Sequence, residues 1–375
     1  MRTMSSNQSF RRGMILSLVV LCLLTAPLAS QDAAPGKKPA KGAAPAPPPV
    51  LQDEGQSTLD DDGAPELTEA ADVAIEKGLK FLLASQNADG SWAAKNGSVA
   101  IGGTSLGLMA FMVKGHFPGF GRYGAALDRA KAFLLKQAKE SPMGVMGSMY
   151  EHGLFTLALS EMWGMTGNVE DNKVIQKALQ RSVDVILRAQ SPLGGWRYAA
   201  RPDAGQDTSV TAMVFVSLAS ARQAGILVPT ETIENVVSYL RNVVWNETTG
   251  GFGYTGNGGA TVACTAGGAY AAQLCGQRDA EWVQAAVRCL ENNPKVFSRK
   301  QLGHFYYANY YAAQAMVQAG DEQYAKWYPQ IRDALIRLQK ADGSWQEKDI
   351  RYPHKTPMAI IILGTPYRFL PIYQR

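Results

Sequence analysis

Two kinds of apolar segment alternate along most of the chain. In ADVAIEKGLKFLLASQ, Val73, Ile75, Leu79, Leu82 and Leu83 recur at helical spacing with charges between them, the pattern of an amphipathic helix. NADG supplies turn residues that stop it. GGTSLGLMAFMVKG follows, apolar nearly all round and rich in small residues. The same alternation returns in LDRAKAFLLKQ with YEHGLFTLALSEMWG, and in VIQKALQRSVDVILRAQ with QDTSVTAMVFVSLASARQAG. ETIENVVSYLRNVV precedes TVACTAGGAYAAQLCG, and AEWVQAAVRCLENN precedes HFYYANYYAAQAMVQAG. Last, WYPQIRDALIRLQ precedes KTPMAIIILG. Six such pairs predict about twelve helices.

A helix polar on one face belongs on an outer ring, and one apolar all round belongs inside. Repeats of this kind either continue as an open solenoid or close on themselves. An open array needs polar end caps, yet the last unit runs into TPYRFLPIYQR, which is aromatic and Pro-rich. The pattern therefore predicts an all-α protein, an α6/α6 toroid with inner helices sheathed by outer ones. The phrase QNADGSW (residues 86–92) returns as QSPLGGW (190–196) and QKADGSW (339–345). The offsets from Gln86 to Gln190 and on to Gln339 are 104 and 149 residues, near two and three multiples of a period of about 50. Gln137 lies where that period requires a worn copy. Gln can bond exposed backbone groups at a helix end, Gly permits a tight turn, and Trp covers the contact. These phrases read as joints between repeats rather than as sugar-stacking platforms.

The N-terminal region has another character. Arg11 and Arg12 precede MILSLVVLCLL, too short to span a bilayer comfortably, and TAPLAS follows. Residues 1–30 thus read as a secretory signal peptide cleaved near Ser30, with an uncleaved anchor as the alternative. RRGMIL also has a partial likeness to a twin-arginine signal. Residues 31–63, rich in Ala, Pro and Lys and then in Asp, read as a flexible linker, leaving 64–375 for the toroid. The expected location is periplasmic or extracellular. Leader and linker carry equal numbers of basic and acidic residues, so the net charge of +5 belongs to the folded part. No dense Lys/Arg block accompanies it, which argues against a nucleic-acid partner. Cys264, Cys275 and Cys289 remain after the leader, an odd number that does not make a disulfide framework.

In the first copy, Lys77-Gly78, Phe81-Leu82, Gln86 and ADGSW follow one another at the spacing of a QW motif. With the repeats, they make the chain beyond the linker resemble the prenyltransferase/squalene-hopene cyclase repeat superfamily, whose members form α/α toroids. The resemblance implies parallel inner helices whose N-termini crowd one mouth, where partial positive charge favours carboxylates and anions. Residues opening those helices are Thr104, Tyr150, Glu151, His152, Asp207, Thr208, Thr261, Cys264, His304, Tyr306, Tyr307, Lys355 and Thr356.

The chain departs from each familiar chemistry of that superfamily. Cyclases of the squalene-hopene type protonate substrate with Asp-x-Asp-Asp-Thr. Here AGQDTSVTAM keeps Asp207 and Thr208 but has Ala204 and Gln206 for the first two acids, and an amide cannot protonate an alkene. Against the zinc set of prenyltransferases, Cys264 is kept, while Val262 and Tyr307 replace the Asp and His. One ligand of three does not hold zinc tightly, so no metal or other cofactor is expected. Cys275 and Gln277 are too close together for the thioester class. The leading expectation is an exported toroid with an apolar central cavity that binds an isoprenoid- or lipid-like small molecule. A scaffold role toward an envelope protein partner belongs to the same reading. Ligand-binding candidates are Thr208, Cys264, His304, Tyr307 and Lys355. The alternative is a polysaccharide lyase or hydrolase on the same barrel, with Glu151, His152 and Asp207 as catalytic acid/base set. Asp207 also suits a plain helix N-cap. Phe111, Phe155, Phe215, Tyr270 and Tyr310 lean toward an apolar ligand, or are core.

Overall fold

Each predicted pair is present in the computed structural model, which describes residues 67–92, 100–141, 143–345 and 354–373. The leader (1–30), the linker (31–63) and their expected roles lie outside the described residues. Among those residues there are twelve α-helices. The amphipathic set is α1 (Glu69–Ser85), α3 (Gly124–Glu140), α5 (Val169–Ala189), α7 (Thr230–Ser238), α9 (Glu281–Glu291) and α11 (Asp321–Leu338). The apolar set is α2 (Ala100–Met112), α4 (Met149–Met162), α6 (Thr208–Gln223), α8 (Val262–Ala272), α10 (Phe305–Ala319) and α12 (Lys355–Leu363). Each apolar helix packs on the next, and α12 packs back on α2, so the inner ring closes. α1 packs on both α11 and α12, which joins the first repeat to the last. The sequence period explains this division. α5 buries one stripe (Ile175, Leu179, Val183, Ile186), whereas every residue of α2 from Gly102 to Met112 is buried.

Among the described residues strand is confined to a two-residue antiparallel pair, β1 (Trp245–Asn246) and β2 (Gly251–Phe252). It follows α7, whose last turns widen over Tyr239–Val244. One boundary differs from the sequence reading. α11 begins at Asp321, directly after Gly320, and carries Pro329 inside it. A proline lacks the N–H an interior turn needs, so the pattern alone favoured a start near Trp327. Burial of Tyr324, Trp327, Tyr328 and Ile331 along one face holds the longer helix together.

The repeated phrase is a joint, and its three copies are built alike. The Gln side chain donates to the carbonyl of its own turn glycine and to a carbonyl on another outer helix. Gln86 reaches Ala126 O of α3 at 2.9 Å, Gln190 reaches Thr232 O of α7 at 3.1 Å, and Gln339 reaches Ala74 O of α1 at 2.7 Å. Gly90, Gly194 and Gly343 have φ of +89°, +94° and +88°, and a Cβ there would lie within 2.4 Å of a backbone oxygen on that same helix. Both the turn and the close approach require glycine. The indole N–H of Trp92, Trp196 and Trp345 donates to Leu82, Ile186 and Leu335 carbonyls at 2.7–2.8 Å. The backbone N–H of each Trp donates to a threonine on the inner helix that follows: Thr104, Thr211 and Thr356, all at 3.0 Å.

Two worn copies keep this last bond with other residues. Phe252 stands in the Trp position and its N–H donates to Thr265 Oγ1 at 3.1 Å. In the second repeat Met146 takes that place, and its N–H donates to Nδ1 of His152 at 3.1 Å.

Candidate functional site

The N-termini of the inner helices meet at one mouth. Gly102 of α2 faces Glu151 of α4 and His354 at the start of α12, and Tyr150 of α4 lies 6.1 Å from Tyr307 of α10 between ring centroids. In the ring order α4 and α10 are opposite each other, so this aromatic pair crosses the lumen. Tyr307 also packs edge-on to Tyr311 at 5.0 Å, and its hydroxyl donates to Ser209 O of α6. Burial raises the phenols of Tyr150, Tyr307 and Tyr311 far above their ordinary value, so they act as neutral hydrogen-bonding groups.

Asp207 occupies the N-cap of α6 and is fully buried. Its Oδ1 accepts from Val210 N–H at 2.9 Å and from Ser209 Oγ at 2.6 Å. The capping role is therefore filled by one oxygen. The other, Oδ2, takes no hydrogen bond and faces Arg197 Nε at 3.8 Å. Arg197, Tyr198 and Tyr254 form the exposed layer next to it, with the two phenol oxygens 3.1 Å apart. Asp207 contributes to raising the Tyr239, Tyr254, Tyr307 and Cys264 acids, after burial as the main cause, which marks these groups as its neighbours.

The other sequence-selected residues divide sharply. Thr208 Oγ1 donates to Gly253 O at 2.6 Å and ties the glycine-rich segment after β2 to α6. Cys264 sits one turn into α8, nearly buried, with its thiol acidity suppressed by burial. His304 caps α10 in a left-handed conformation (φ +56°), and Lys355 opens α12. Glu151 closes a capping box with Ser148, its carboxylate accepting Ser148 N–H. His152 is fully buried; Nδ1 accepts from Met146 N–H, so Nε2–H donates to Ser182 O at 3.0 Å. Burial holds this imidazole neutral, pushed down to about 4. Both nitrogens are thus engaged in a repeat joint. Glu151, His152 and Asp207 do not hydrogen-bond one another: the first is held in a capping box, the second in a joint and the third in a cap. Among the described residues no cluster of three His, Cys, Asp or Glu is placed to hold a metal.

The Tyr150–Tyr307 pair crosses the lumen at this mouth, and two cavities lined by described residues lie elsewhere. One, ≈ 300 Å³, sits between the ends of α6, α7 and α8 and is lined by Phe215, Leu218, Val228, Ile233 and Leu274. The second, more polar, lies beside β1. Sequence reasoning missed Arg197, Tyr198, Tyr254 and His354. Arg197 and Tyr198 directly follow a joint tryptophan, and that position, just before an inner helix, was the available signal.

Neither a protein-family model nor a curated protein sequence matches the chain. Solved structures do. The type II terpene cyclase MstE from Scytonema is 17% identical over 82% of this chain and 100% of its own, with a TM-score of 0.54. That enzyme is also solved with its substrate geranylgeranyl dihydroxybenzoate, at 16% identity, 80% and 98% coverage and the same TM-score of 0.54. The GH76A α-1,6-mannanase from a Salegentibacter species is 11% identical over 79% of this chain and 98% of its own, with a TM-score of 0.57. At these identities the likeness is one of fold. The chain has the α/α toroid fold of terpenoid-cyclase-like proteins, a fold the mannanase shares.

Proposed function

We propose that this chain is an exported binding toroid that takes an apolar, isoprenoid- or lipid-like molecule bearing a hydroxyl or similar polar head. The observation that carries the reading is Asp207 Oδ2: a fully buried carboxylate oxygen without a hydrogen bond, at a helix N-terminus beside an aromatic surface. A buried oxygen left without a hydrogen bond costs about 1–3 kcal/mol, offset in part here by the Arg197 guanidinium at 3.8 Å, and a donor on a ligand would recover the rest. Tyr198, Tyr254 and the Tyr150–Tyr307 pair offer ring faces to an apolar body. The terpene cyclase among the similar structures binds an isoprenoid substrate, which supports this ligand class without supplying its chemistry. Gln206 in the cyclase acid position and the engaged His152 favour binding over turnover. Export follows from the leader-like residues 1–30 and the linker after them.

Mass spectrometry of the protein purified from its native envelope tests the reading. Retention of a hydroxyl-bearing apolar molecule is expected. Recovery of a bound oligosaccharide, with no apolar molecule and no affinity for isoprenoid alcohols, would replace it with the glycan-directed alternative.

A further inference from the structure

The opposite mouth, where the inner helices end, is covered by the segment that follows α12. Gly364 ends α12 and Arg368 takes a left-handed turn (φ +52°) that redirects the chain. Tyr367 is fastened to the first repeat through its hydroxyl on Asp72, itself paired with Lys114 at 2.7 Å. Beyond Arg368, Leu370 and Ile372 are buried. Ile372 N–H donates to Glu161 Oε2 of α4 at 3.3 Å, and Ile372 O accepts from the Tyr270 hydroxyl of α8 at 3.2 Å. The last turn of this segment, Pro371–Tyr373, packs on α6. In the ring order α6 lies opposite α12. The segment therefore crosses the mouth from one side to the other and ends among α4, α6 and α8.

Its anchor is chemically unusual. Glu161 is buried, with Ser220 Oγ of α6 on Oε1, Ile372 N–H on Oε2 and the Tyr270 phenol close by. Among the described residues no cationic side chain of these elements acts on it. Burial pushes its carboxyl up to about 7, against the lowering effect of the two hydrogen bonds.

We propose that residues 365–373 are an intramolecular plug, and that their release at Glu161 opens the tyrosine-lined interior to an apolar ligand. Admission of ligand rests on the binding reading above; the plug itself does not. The sign of its pH response follows from the anchor. Closure buries Glu161 and favours its protonated form, so closure is strongest at low pH. Opening grows as pH rises from the ordinary carboxyl range and levels off above about 7. If opening restores the ordinary value, the open fraction rises as much as ~50-fold between about pH 5 and about pH 8.

Hydrogen exchange at the amides of Leu370, Ile372 and Tyr373 in the full chain tests this, read as the ratio of wild type to Glu161→Gln at each pH so that intrinsic exchange cancels. The two should match near pH 5, and wild type should exchange tens of times faster near pH 8. Exchange of these amides only by global unfolding, or a ratio independent of pH, would overturn the plug. Uptake of the apolar fluorophore N-phenyl-1-naphthylamine by a folded Leu370→Ser/Ile372→Ser variant tests access. A gain of about tenfold over wild type is expected, and no gain in a variant with native helical content would overturn the access claim. Should that variant not fold, fluorophore uptake by wild type must track its own tail exchange with pH, and uptake independent of exchange would overturn it. Binding at the Asp207 mouth is measured separately, so its failure leaves the exchange result intact.

Discussion

Trp345→Ala probes the closure of the ring, because this indole is the piece of the last repeat that wedges against the first. Trp345 is 1% exposed and packs so closely on α1 that a Cβ on Gly78 would lie 2.8 Å from its ring. Its Nε1–H is the donor to Leu335 O at 2.8 Å. Truncating a buried tryptophan costs about 3–5 kcal/mol, and the orphaned carbonyl adds about 1 kcal/mol, so a loss of about 5 kcal/mol is expected. For a domain of this size each kcal/mol moves Tm by roughly 2–4 °C, which gives a drop of about 10–20 °C. Urea and thermal melts followed by far-UV circular dichroism read this directly. Trp345→Phe keeps most of the ring and loses the indole donor, and should cost roughly 1–2 kcal/mol. A Trp345→Ala loss below about 1 kcal/mol would refute the joint. So would an unchanged melt accompanied by lost ligand binding, which would move the residue into a site.

Three further outcomes follow from the same geometry. His152 alone should withdraw up to about 3 kcal/mol of folding stability as pH falls from 6.5 toward 4, because it must stay neutral in the folded chain and protonates readily in the unfolded one, while Glu161 acts in the opposite sense over the same range. His152→Asn should therefore gain stability relative to wild type as pH falls in pH-dependent melts, with His354, also held down to about 4 by burial, and Glu161 titrating in both proteins; a wild-type-to-variant difference independent of pH would show that His152 is not the titrating group. Glu151→Gln should change stability by less than about 1 kcal/mol and leave ligand binding unaltered in calorimetry, since it removes only a capping-box carboxylate. Gly194→Ala should destabilise urea melts by at least about 2 kcal/mol, because φ is +94° and the new Cβ would meet Asn235 O at 2.0 Å.

The fold was legible because the two apolar patterns differ in kind. A stripe at helical spacing in α5 and an unbroken apolar run in α2 have few three-dimensional solutions once each recurs with the other. Gln, Gly and Trp in the joints were readable for the same reason: each residue type has one physical task there. The worn joint at Met146 and His152 was not readable, since neither residue resembles the Trp and Thr it replaces, and a histidine opening an inner helix looks like chemistry. The tyrosine contact across the lumen was hidden as well. That Tyr150 and Tyr307 come from opposite helices, and so meet, depends on ring closure rather than on any local pattern. Asp207 was legible both as cap and as candidate; the structure shows the cap made by Oδ1 and leaves Oδ2 without a hydrogen bond.

The binding claim stands or falls on Asp207 Oδ2, and calorimetric titration with geranylgeraniol and with a hydrocarbon of matching length measures it most directly. Asp207→Asn retains an oxygen for the Val210 cap but places an amide donor where, on this reading, Oδ2 accepts from the ligand. The account predicts that wild type binds the alcohol in preference to the hydrocarbon, and that Asp207→Asn weakens the alcohol about tenfold or more with melting unchanged. Equal affinity for alcohol and hydrocarbon, or an Asp207→Asn protein that binds the alcohol as well as wild type does, would contradict it.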